Sequence, residues 1–330
     1  MDVGSIIENS LRAAVGLEAV AFVLAAIGLN LHFGYTGLLN FGQVGFMSVG
    51  AYSIAITVNE LDLSMWAGIP IGILAATVFA LLLGIPTLRL RADYLAIVTI
   101  AAGEIFRLVV RAASLRDLTG GSSGMTQFAR DFYAINPFGD GTYGFGVFRW
   151  DERRFWLLIV CWTLVAVVSG LVILLIRSPW GRVLKSIRED EDAARSLGKN
   201  VYWFKMQSLI LGGICGAFAG FALAIGTQSV QPDTYSTAIT FYALTALIIG
   251  GMAKSIGPIV GSMLFWLLFA GVDVLLREMQ SADYIPEWLM DGTQVGQVRV
   301  MLVGLALMLL PIFRPQGLFG DKREIQLDAR

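Results

Sequence analysis

Charged residues are scarce in this chain of 330 amino acids, and they leave almost no net charge. They make up 15% of the sequence, and 24 basic residues against 25 acidic ones give a formal charge of −1. Proteins that bind nucleic acids carry a clustered basic excess, which this composition lacks. We therefore expect no nucleic-acid partner, and any useful charge asymmetry must be confined to individual loops.

Side chains that ligate metals or act as nucleophiles are also few. His32 is the only histidine, so neither a His-based metal cluster nor a Ser/His/Asp triad can be assembled. The two cysteines, Cys161 and Cys215, lie inside apolar runs, where a thiol behaves as a small hydrophobic group. We predict no catalytic residue and no metal site.

A phosphate-binding loop is missing as well. Subunits that hydrolyse ATP use the motif GxxxxGK[ST], because backbone amides and a lysine must cradle the phosphates. The glycine-rich segment Leu118–Met125 has no lysine after its glycines. The chain is therefore expected to bind no nucleotide or other cofactor itself.

Apolar residues, in contrast, are abundant enough to indicate that the solvent is lipid. Hydrophobic residues make up 56% of the chain and the mean hydropathy is +0.70, well above globular usage. A helix needs about 20 apolar residues to cross a bilayer. Six uncharged segments fit this length or approach it: Leu38–Val58, Met65–Pro86, Phe155–Ile176, Met206–Thr227, Thr234–Ala253 and Ile256–Val272. Three further segments contain charges: Ala13–Leu31, Tyr94–Val110 and Gly292–Phe313.

These segments predict an all-α polytopic membrane protein, with residues 1–330 forming a single transmembrane domain. We expect about nine transmembrane helices, within a range of eight to ten. The first eight residues have neither a basic region nor a small-residue cleavage site. The first apolar stretch is therefore interpreted as a retained helix rather than a signal peptide.

Basic residues near the ends of the spans predict the orientation, because they favour the cytoplasmic side. Seven of them lie between Ile176 and Met206. We therefore place the loop 177–205 in the cytoplasm. Alternation of the spans then puts the tail 314–330 in the cytoplasm, and it puts the N-terminus and the long segment 114–154 outside.

Two apolar segments, Gly37–Ala51 and Ile249–Gly261, contain more glycine and proline than helix packing requires. Broken helices are tolerated at membrane depth only where they line a cavity or are buried in protein, and in transporters they mark the substrate path. Asn40 and Gln43 fall in the first break. They either line such a path or form hydrogen bonds between helices.

One carboxylate, Glu104, falls near the middle of a predicted span, where a charge is costly. Arg107 lies three residues later on the same helical face, so we favour an ion pair between the two over contact with a substrate ammonium group. We expect His32 to lie at a membrane interface.

The cytoplasmic loop reads SPWGRVLKSIREDEDAARSLGKNVYWFK from Ser178 to Lys205. Serine and proline at its start and Gly198 near its end predict a charged helix between them. An apolar stripe recurs at helical spacing, which suits a groove on a partner protein. It consists of Val183, Ile187, Ala194 and Leu197. The alternative is a solvated helix that lies on the membrane surface.

This loop resembles the cytoplasmic loop of branched-chain amino acid ABC-importer permeases. Other motifs also look like the M-type permease of that family, in the same order along nearly the whole chain. They are GLLNFGQVGFMSVGAY (Gly37–Tyr52), AIVTIAAGEIFRLV (Ala96–Val109), LTGGSSGM (Leu118–Met125), GGMAKSIGPIVG (Gly250–Gly261) and FRPQGLFG (Phe313–Gly320).

The resemblance implies a subunit of the bacterial inner membrane with several partners. These are a second related permease, two ATPase subunits that use ATP and magnesium, a periplasmic or surface-anchored binding protein, and membrane lipid. By position, the coupling contact with an ATPase falls on Glu189, Asp190, Glu191, Ala193, Ala194, Leu197 and Gly198. The candidate path residues are Asn40, Gly42, Gln43, Gly45 and Glu104.

The implied function is translocation of branched-chain (aliphatic) amino acids by alternating access. The stretch Asn40–Gln43 varies among such permeases, so a urea, sugar or other small-solute permease of the same class is the first alternative. The second, from another class, is a stand-alone secondary transporter or channel.

Overall fold

The computed structural model describes residues 3–90, 92–281, 294–313 and 317–319. Within these ranges the chain forms α1 (Val3–Val15), α2 (Leu17–Leu29), α3 (Gln43–Asn59), α4 (Met65–Thr87), α5 (Ala92–Arg111), α6 (Arg116–Thr119), α7 (Arg130–Ala134), α8 (Glu152–Arg177), α9 (Pro179–Glu189), α10 (Glu191–Ser196), α11 (Val201–Thr227), α12 (Thr237–Gly250), α13 (Gly257–Ser281) and α14 (Val295–Phe313). Helix α2 continues as a π-helix over Asn30–Thr36. Short 3-10 helices cover Ala113–Leu115, Gly121–Ser123 and Pro232–Tyr235.

Strands are short and lie outside the long helices. Strand β1 (Met125–Thr126) pairs antiparallel with β4 (Ser229–Val230), and β2 (Thr142–Phe145) forms a hairpin with β3 (Phe148–Asp151). The hairpin and β1 belong to the segment 114–154 that we predict to be extracytoplasmic. The pairing of β1 with β4 ties this segment to the end of α11.

Five helical segments are long and apolar enough to cross a membrane, as judged by length and composition. They are Leu17–Thr36, Met65–Thr87, Glu152–Arg177, Val201–Thr227 and Gly257–Ser281. The described chain is therefore an all-α polytopic membrane protein. Helices α3 and α12 are shorter, with 17 and 14 residues, and the count of nine transmembrane helices stays a prediction.

Several predicted spans differ from the helices in their bounds. The span predicted from Leu38 begins at Gln43, because Gly37 has a left-handed backbone (φ 72°) and residues 38–42 are not helical. The span predicted over Thr234–Ala253 is the shorter α12, which ends where Gly251 adopts φ 101°. Both predicted helix breaks are therefore present in the backbone.

The core is formed by α2, α3 and α11, which pack through small residues. Gly212, Gly216 and Gly220 form a glycine face on α11 that packs against neighbouring helices. A Cβ atom added to Gly220 would lie 1.9 Å from the carbonyl oxygen of Met47, and one on Gly216 would lie 2.8 Å from Nε2 of Gln43. Close backbone approach of this kind is how membrane helices gain packing energy without a hydrophobic force between them.

Part of the predicted tail 314–330 falls in the described residues, at 317–319. There the backbone amides of Leu318 and Phe319 donate hydrogen bonds to the carbonyl oxygens of Ile249 and Gly250, at 2.9 and 3.2 Å. These carbonyls belong to the last turn of α12, where carbonyl oxygens have no hydrogen-bond donor within the helix. The segment 317–319 therefore caps the C-terminal end of α12, where the second helix break of the chain begins.

Candidate functional site

The first helix break places its two predicted amide side chains in the protein interior. Asn40 is 1% exposed and Gln43 is fully buried. The Asn40 side chain accepts a hydrogen bond from the backbone amide of Gly42 at 2.9 Å, and Nε2 of Gln43 donates to the carbonyl oxygen of Gly212 at 2.9 Å. Both amides therefore connect the break to its surroundings, and one of them reaches the glycine face of α11.

His32 is fully buried in protein, and its position at a membrane interface stays a prediction. Its Nε2 lies 3.2 Å from the carbonyl oxygen of Ser208, which can only accept, so Nε2 carries the proton. Nδ1 then accepts from Nδ2 of Asn40 at 3.0 Å. The ring fits here because a Cβ atom on Gly212 would lie 2.2 Å from Nε2. No periodicity in the sequence marks this position.

Gly42 and Gly45 bring the start of α3 against α5. A Cβ atom on Gly42 would lie 2.2 Å from the carbonyl oxygen of Thr99, and one on Gly45 would lie 3.1 Å from Cα of Gly103. The backbone amide of Val44 donates to Oγ1 of Thr240 on α12, at 2.9 Å. The break is thus held between three helices, and Asn40, Gly42, Gln43 and Gly45 lie in one packed region.

Glu104 follows Gly103 on α5 and belongs to an ion-pair cluster. Nε of Arg107 lies 3.1 Å from both carboxylate oxygens of Glu104, so the predicted pair is present. Arg107 also donates to Asp233 at 2.8 Å, and Arg111 donates to the same carboxylate at 3.1 Å. This cluster ties α5 to the 3-10 helix Pro232–Tyr235.

Asp233 was missed by reasoning from the sequence, although a signal was present. It is the only charged residue between Lys205 and Lys254, a stretch dominated by apolar residues. A lone carboxylate in such a context needs a cationic partner. The arginines of α5 supply it.

The predicted single coupling helix is two helices, because Asp190 interrupts it with an extended backbone. The Asp190 carboxylate caps α10 by accepting from the backbone amides of Asp192 and Ala193, each at 2.9 Å. Gly198 ends the segment with φ 75°. Asp and glycine act here as start and stop signals inside what looked like one helix.

The apolar stripe predicted for this loop is wrong as a continuous surface. Ile187 and Ala194 are 3% and 2% exposed and pack with Val201, whereas Leu197 is 78% exposed. The break at Asp190 resets the helical phase, so spacing counted across it no longer describes one face. Leu197, the carboxylate of Asp192 and the guanidinium of Arg195 are among the groups that the loop presents outward.

Helix α9 contacts the π-helix directly. Nη1 of Arg188 donates to the carbonyl oxygen of Gly34 at 2.6 Å, and Nζ of Lys185 lies 5.8 Å from the centre of the Tyr35 ring. At its other end the π-helix holds the turn before α13: Asn30 donates to the carbonyl oxygen of Lys254 at 2.9 Å and accepts from the amide of Ala253 at 2.8 Å. The π-helix therefore joins the loop 177–205 to both helix breaks.

The described residues contain no group of three His, Cys, Asp or Glu side chains arranged to hold a metal ion. Their polar atoms instead join helices to one another. A membrane bundle with a buried helix break and a charged helix pair docked beneath it defines a membrane permease component.

The chain belongs to the family described as branched-chain amino acid transport system / permease component, whose sequence profile matches residues 13–310. The resemblance seen in the motifs is confirmed. Family membership also identifies the chain as a membrane subunit of a transporter rather than an enzyme by itself.

Curated relatives agree with this assignment. The chain is 31% identical to the high-affinity branched-chain amino acid transport system permease protein LivM of Escherichia coli, over 92% of this chain and 68% of the relative. It is 30% identical to LivM of Salmonella typhimurium, over 94% and 70% of the two chains. A nucleoside ABC transporter permease protein, NupC of Lactococcus lactis, is 27% identical over 85% of this chain and 86% of its own length.

Proposed function

We propose that this chain is one permease subunit of an ABC importer that moves branched-chain (aliphatic) amino acids across a bacterial inner membrane. The assignment of branched-chain amino acids as the substrate rests on the similarity to two LivM permeases over more than nine tenths of the chain. In this proposal a second related permease completes the path, and a periplasmic or surface-anchored binding protein delivers the solute. The N-terminus lies outside and the tail inside.

Two ATPase subunits drive the cycle, and they bind the ATP and magnesium that this chain does not. One of them docks on the segment Glu189–Gly198. Two observations support this docking. Leu197 is exposed, whereas Ala194 of the segment and Ile187 just before it pack with Val201 at the start of α11. Motion of the ATPase would then pass through Arg188 to Gly34 and the π-helix.

The path opens, in this proposal, at the helix break 37–42. Broken segments lack regular backbone hydrogen bonds, so they rearrange at lower cost than intact helices. In the conformation described here the amides of Asn40 and Gln43 are satisfied by protein, which fits a closed inner region. The Glu104–Arg107–Asp233 cluster holds the C-terminal half of α5 against the 3-10 helix Pro232–Tyr235.

Reconstitution with both ATPase subunits, the second permease and the binding protein tests the docking surface. Leu197→Glu places a charge at the exposed contact and should abolish stimulation of ATP hydrolysis by the loaded binding protein. Leu118→Glu is a matched control, because Leu118 is also exposed (43%) but lies in the predicted extracytoplasmic segment. Normal stimulation in Leu197→Glu would contradict docking on this segment.

A nucleoside permease is a second candidate, because NupC covers 85% of the chain at 27% identity. Uptake of labelled leucine and, separately, of labelled uridine by the complete complex separates the two. Uptake of leucine alone, with competition by unlabelled valine, supports the aliphatic amino acid. Uptake of uridine alone would replace it, and uptake by the purified chain without partners would instead indicate a stand-alone transporter.

A further inference from the structure

A basic cavity lies between the turn that joins α4 to α5 and the start of α11. It consists of two adjoining spaces of about 260 and 460 Å³. They share four lining residues: Leu88, Leu90, Glu191 and Lys205. The smaller space is also lined by Gly37 and Leu38, so the cavity adjoins the start of the helix break 37–42, while Asn40 and the Glu104 cluster do not line it.

Positive charge exceeds negative charge around this cavity. Its lining includes Arg89, Arg188, Arg195, Lys199 and Lys205, against the single carboxylate of Glu191. Glu191 pairs with Arg195 at 3.0 Å and with Lys205. Within the described part of the chain, neither Arg89 nor Lys199 has a carboxylate at ion-pair distance. The Arg89 guanidinium instead lies 5.7 Å from the centre of the Tyr202 ring.

An apolar surface begins at the rim of the cavity. Leu90 lines both spaces and is 45% exposed. From there the exposed face of α5 continues through Tyr94, Ile97, Ile105 and Leu108. Trp203, next to the cavity residue Tyr202, is 52% exposed, and tryptophan is enriched at the level of lipid headgroups. A ligand that spans both surfaces needs an anionic head and a long apolar tail.

We infer that this cavity binds the phosphate headgroup of an anionic phospholipid, with Arg89 and Lys199 as the cations that recognise it and the acyl chains along the exposed face of α5. Basic pockets between membrane helices on the cytoplasmic side are suited to such headgroups. Free phosphate shares the anionic chemistry but makes no use of Leu90 and Trp203. An acidic surface of an ATPase is less suitable, because it would not use the apolar surface at Leu90 and Trp203, and the exposed Leu197 and Asp192 of the docking segment do not line the cavity.

Binding to the purified full-length chain in detergent tests the site by native mass spectrometry. The probes are short-chain phosphatidylglycerol, short-chain phosphatidylcholine and inorganic phosphate. Each cation near an anionic surface contributes about a factor of five to affinity. The double variant Arg89→Gln/Lys199→Gln should therefore bind phosphatidylglycerol roughly 25-fold more weakly, with little change for phosphatidylcholine.

The matched control is Arg177→Gln/Arg182→Gln, which removes the same charge from the loop 177–205 outside the cavity. Equal losses in both variants would reduce the effect to overall charge and overturn the site. Displacement of phosphatidylglycerol by equimolar phosphate would make it a free-anion site. Unchanged lipid affinity with weaker capture of the ATPase subunits would assign the cations to a protein contact. If the double variant is not recovered folded, Lys199→Gln alone, at an exposed position, should still weaken binding about fivefold.

Discussion

Asn40 is the residue on which the hydrogen bonds of the first helix break converge. Its side chain accepts a hydrogen bond from the backbone amide of Gly42 and donates one to Nδ1 of His32, and all three residues are buried. A buried polar group that loses its partner costs about 1–3 kcal/mol, because the lipid-facing bundle offers no water to replace it. This cost gives a direct measure of how tightly the break is held.

We expect Asn40→Ala to lower the free energy of unfolding by about 2–4 kcal/mol, since two partners are left unsatisfied. Thermal unfolding in detergent measures it. Asn59→Ala, at the far end of α3, is the control, because the side chain of Asn59 is exposed and its hydrogen bond to Thr126 lies at the surface. Equal shifts for the two variants would contradict a specific role of Asn40 in the break.

Two interpretations of Glu104, as a structural ion-pair partner or as a substrate contact, predict different transport kinetics. If Glu104 is a structural partner of Arg107, Glu104→Gln weakens a partly exposed ion pair worth about 0.5–1 kcal/mol. Stability then falls slightly, and the KM of transport stays within about twofold of the original. As a contact for a substrate ammonium group, Glu104→Gln would raise KM by tenfold or more for the loss of one charge-assisted hydrogen bond.

The uptake assay with the reconstituted complex distinguishes them. Arg107→Gln is the companion variant, because Arg107 serves both Glu104 and Asp233. The structural reading predicts the larger loss of stability in Arg107→Gln. A raised KM in Glu104→Gln with unchanged stability would instead place this carboxylate on the path.

At the scale of elements, the π-helix Asn30–Thr36 is the feature that connects the cytoplasmic loop to the interior. Helix α9 reaches it through Arg188, and the π-helix reaches the turn before α13 through Asn30. π-Helices are rare and occur frequently at functional sites. A hinge at this position would couple the loop to both helix breaks.

Arg188→Gln should therefore separate ATPase docking from its effect on transport. The variant removes the charged donor to Gly34, while Leu197 and the outward face of α10 are unchanged. We expect the ATPase subunits to co-purify normally and stimulation by the loaded binding protein to fall at least fivefold. Arg182→Gln, an exposed change on the same helix, should leave stimulation intact. Full stimulation in Arg188→Gln would show that the signal takes another route.

The elements also show why some features could be predicted and others could not. Glycine and proline content predicted both helix breaks, because these residues interrupt the regular hydrogen bonding of a helix. The division of the loop at Asp190 was not predicted, although Asp190 is a residue type that caps helices, because the same residues also suit one continuous charged helix and the burial of Ile187 and Ala194 depends on tertiary contacts. The burial of His32 depends on Gly212, about 180 residues away, which no local pattern encodes.

For the whole molecule, the central expectation is its orientation in the membrane. The loop 177–205 carries seven basic residues, which predicts a cytoplasmic position, and the hairpin β2–β3 then lies outside. Each side offers an exposed reporter position. Leu197 is 78% exposed in the loop, and Phe145 is 90% exposed on the hairpin.

Cysteine labelling in intact cells tests this arrangement with little background, because Cys161 and Cys215 are both buried. Phe145→Cys should react with a membrane-impermeant maleimide added outside, and Leu197→Cys should react only after the membrane is permeabilised. The unaltered chain should remain unlabelled in both conditions. The reverse pattern would invert the topology, and it would move the proposed ATPase contact and the lipid cavity to the other face together, because both depend on the same loop.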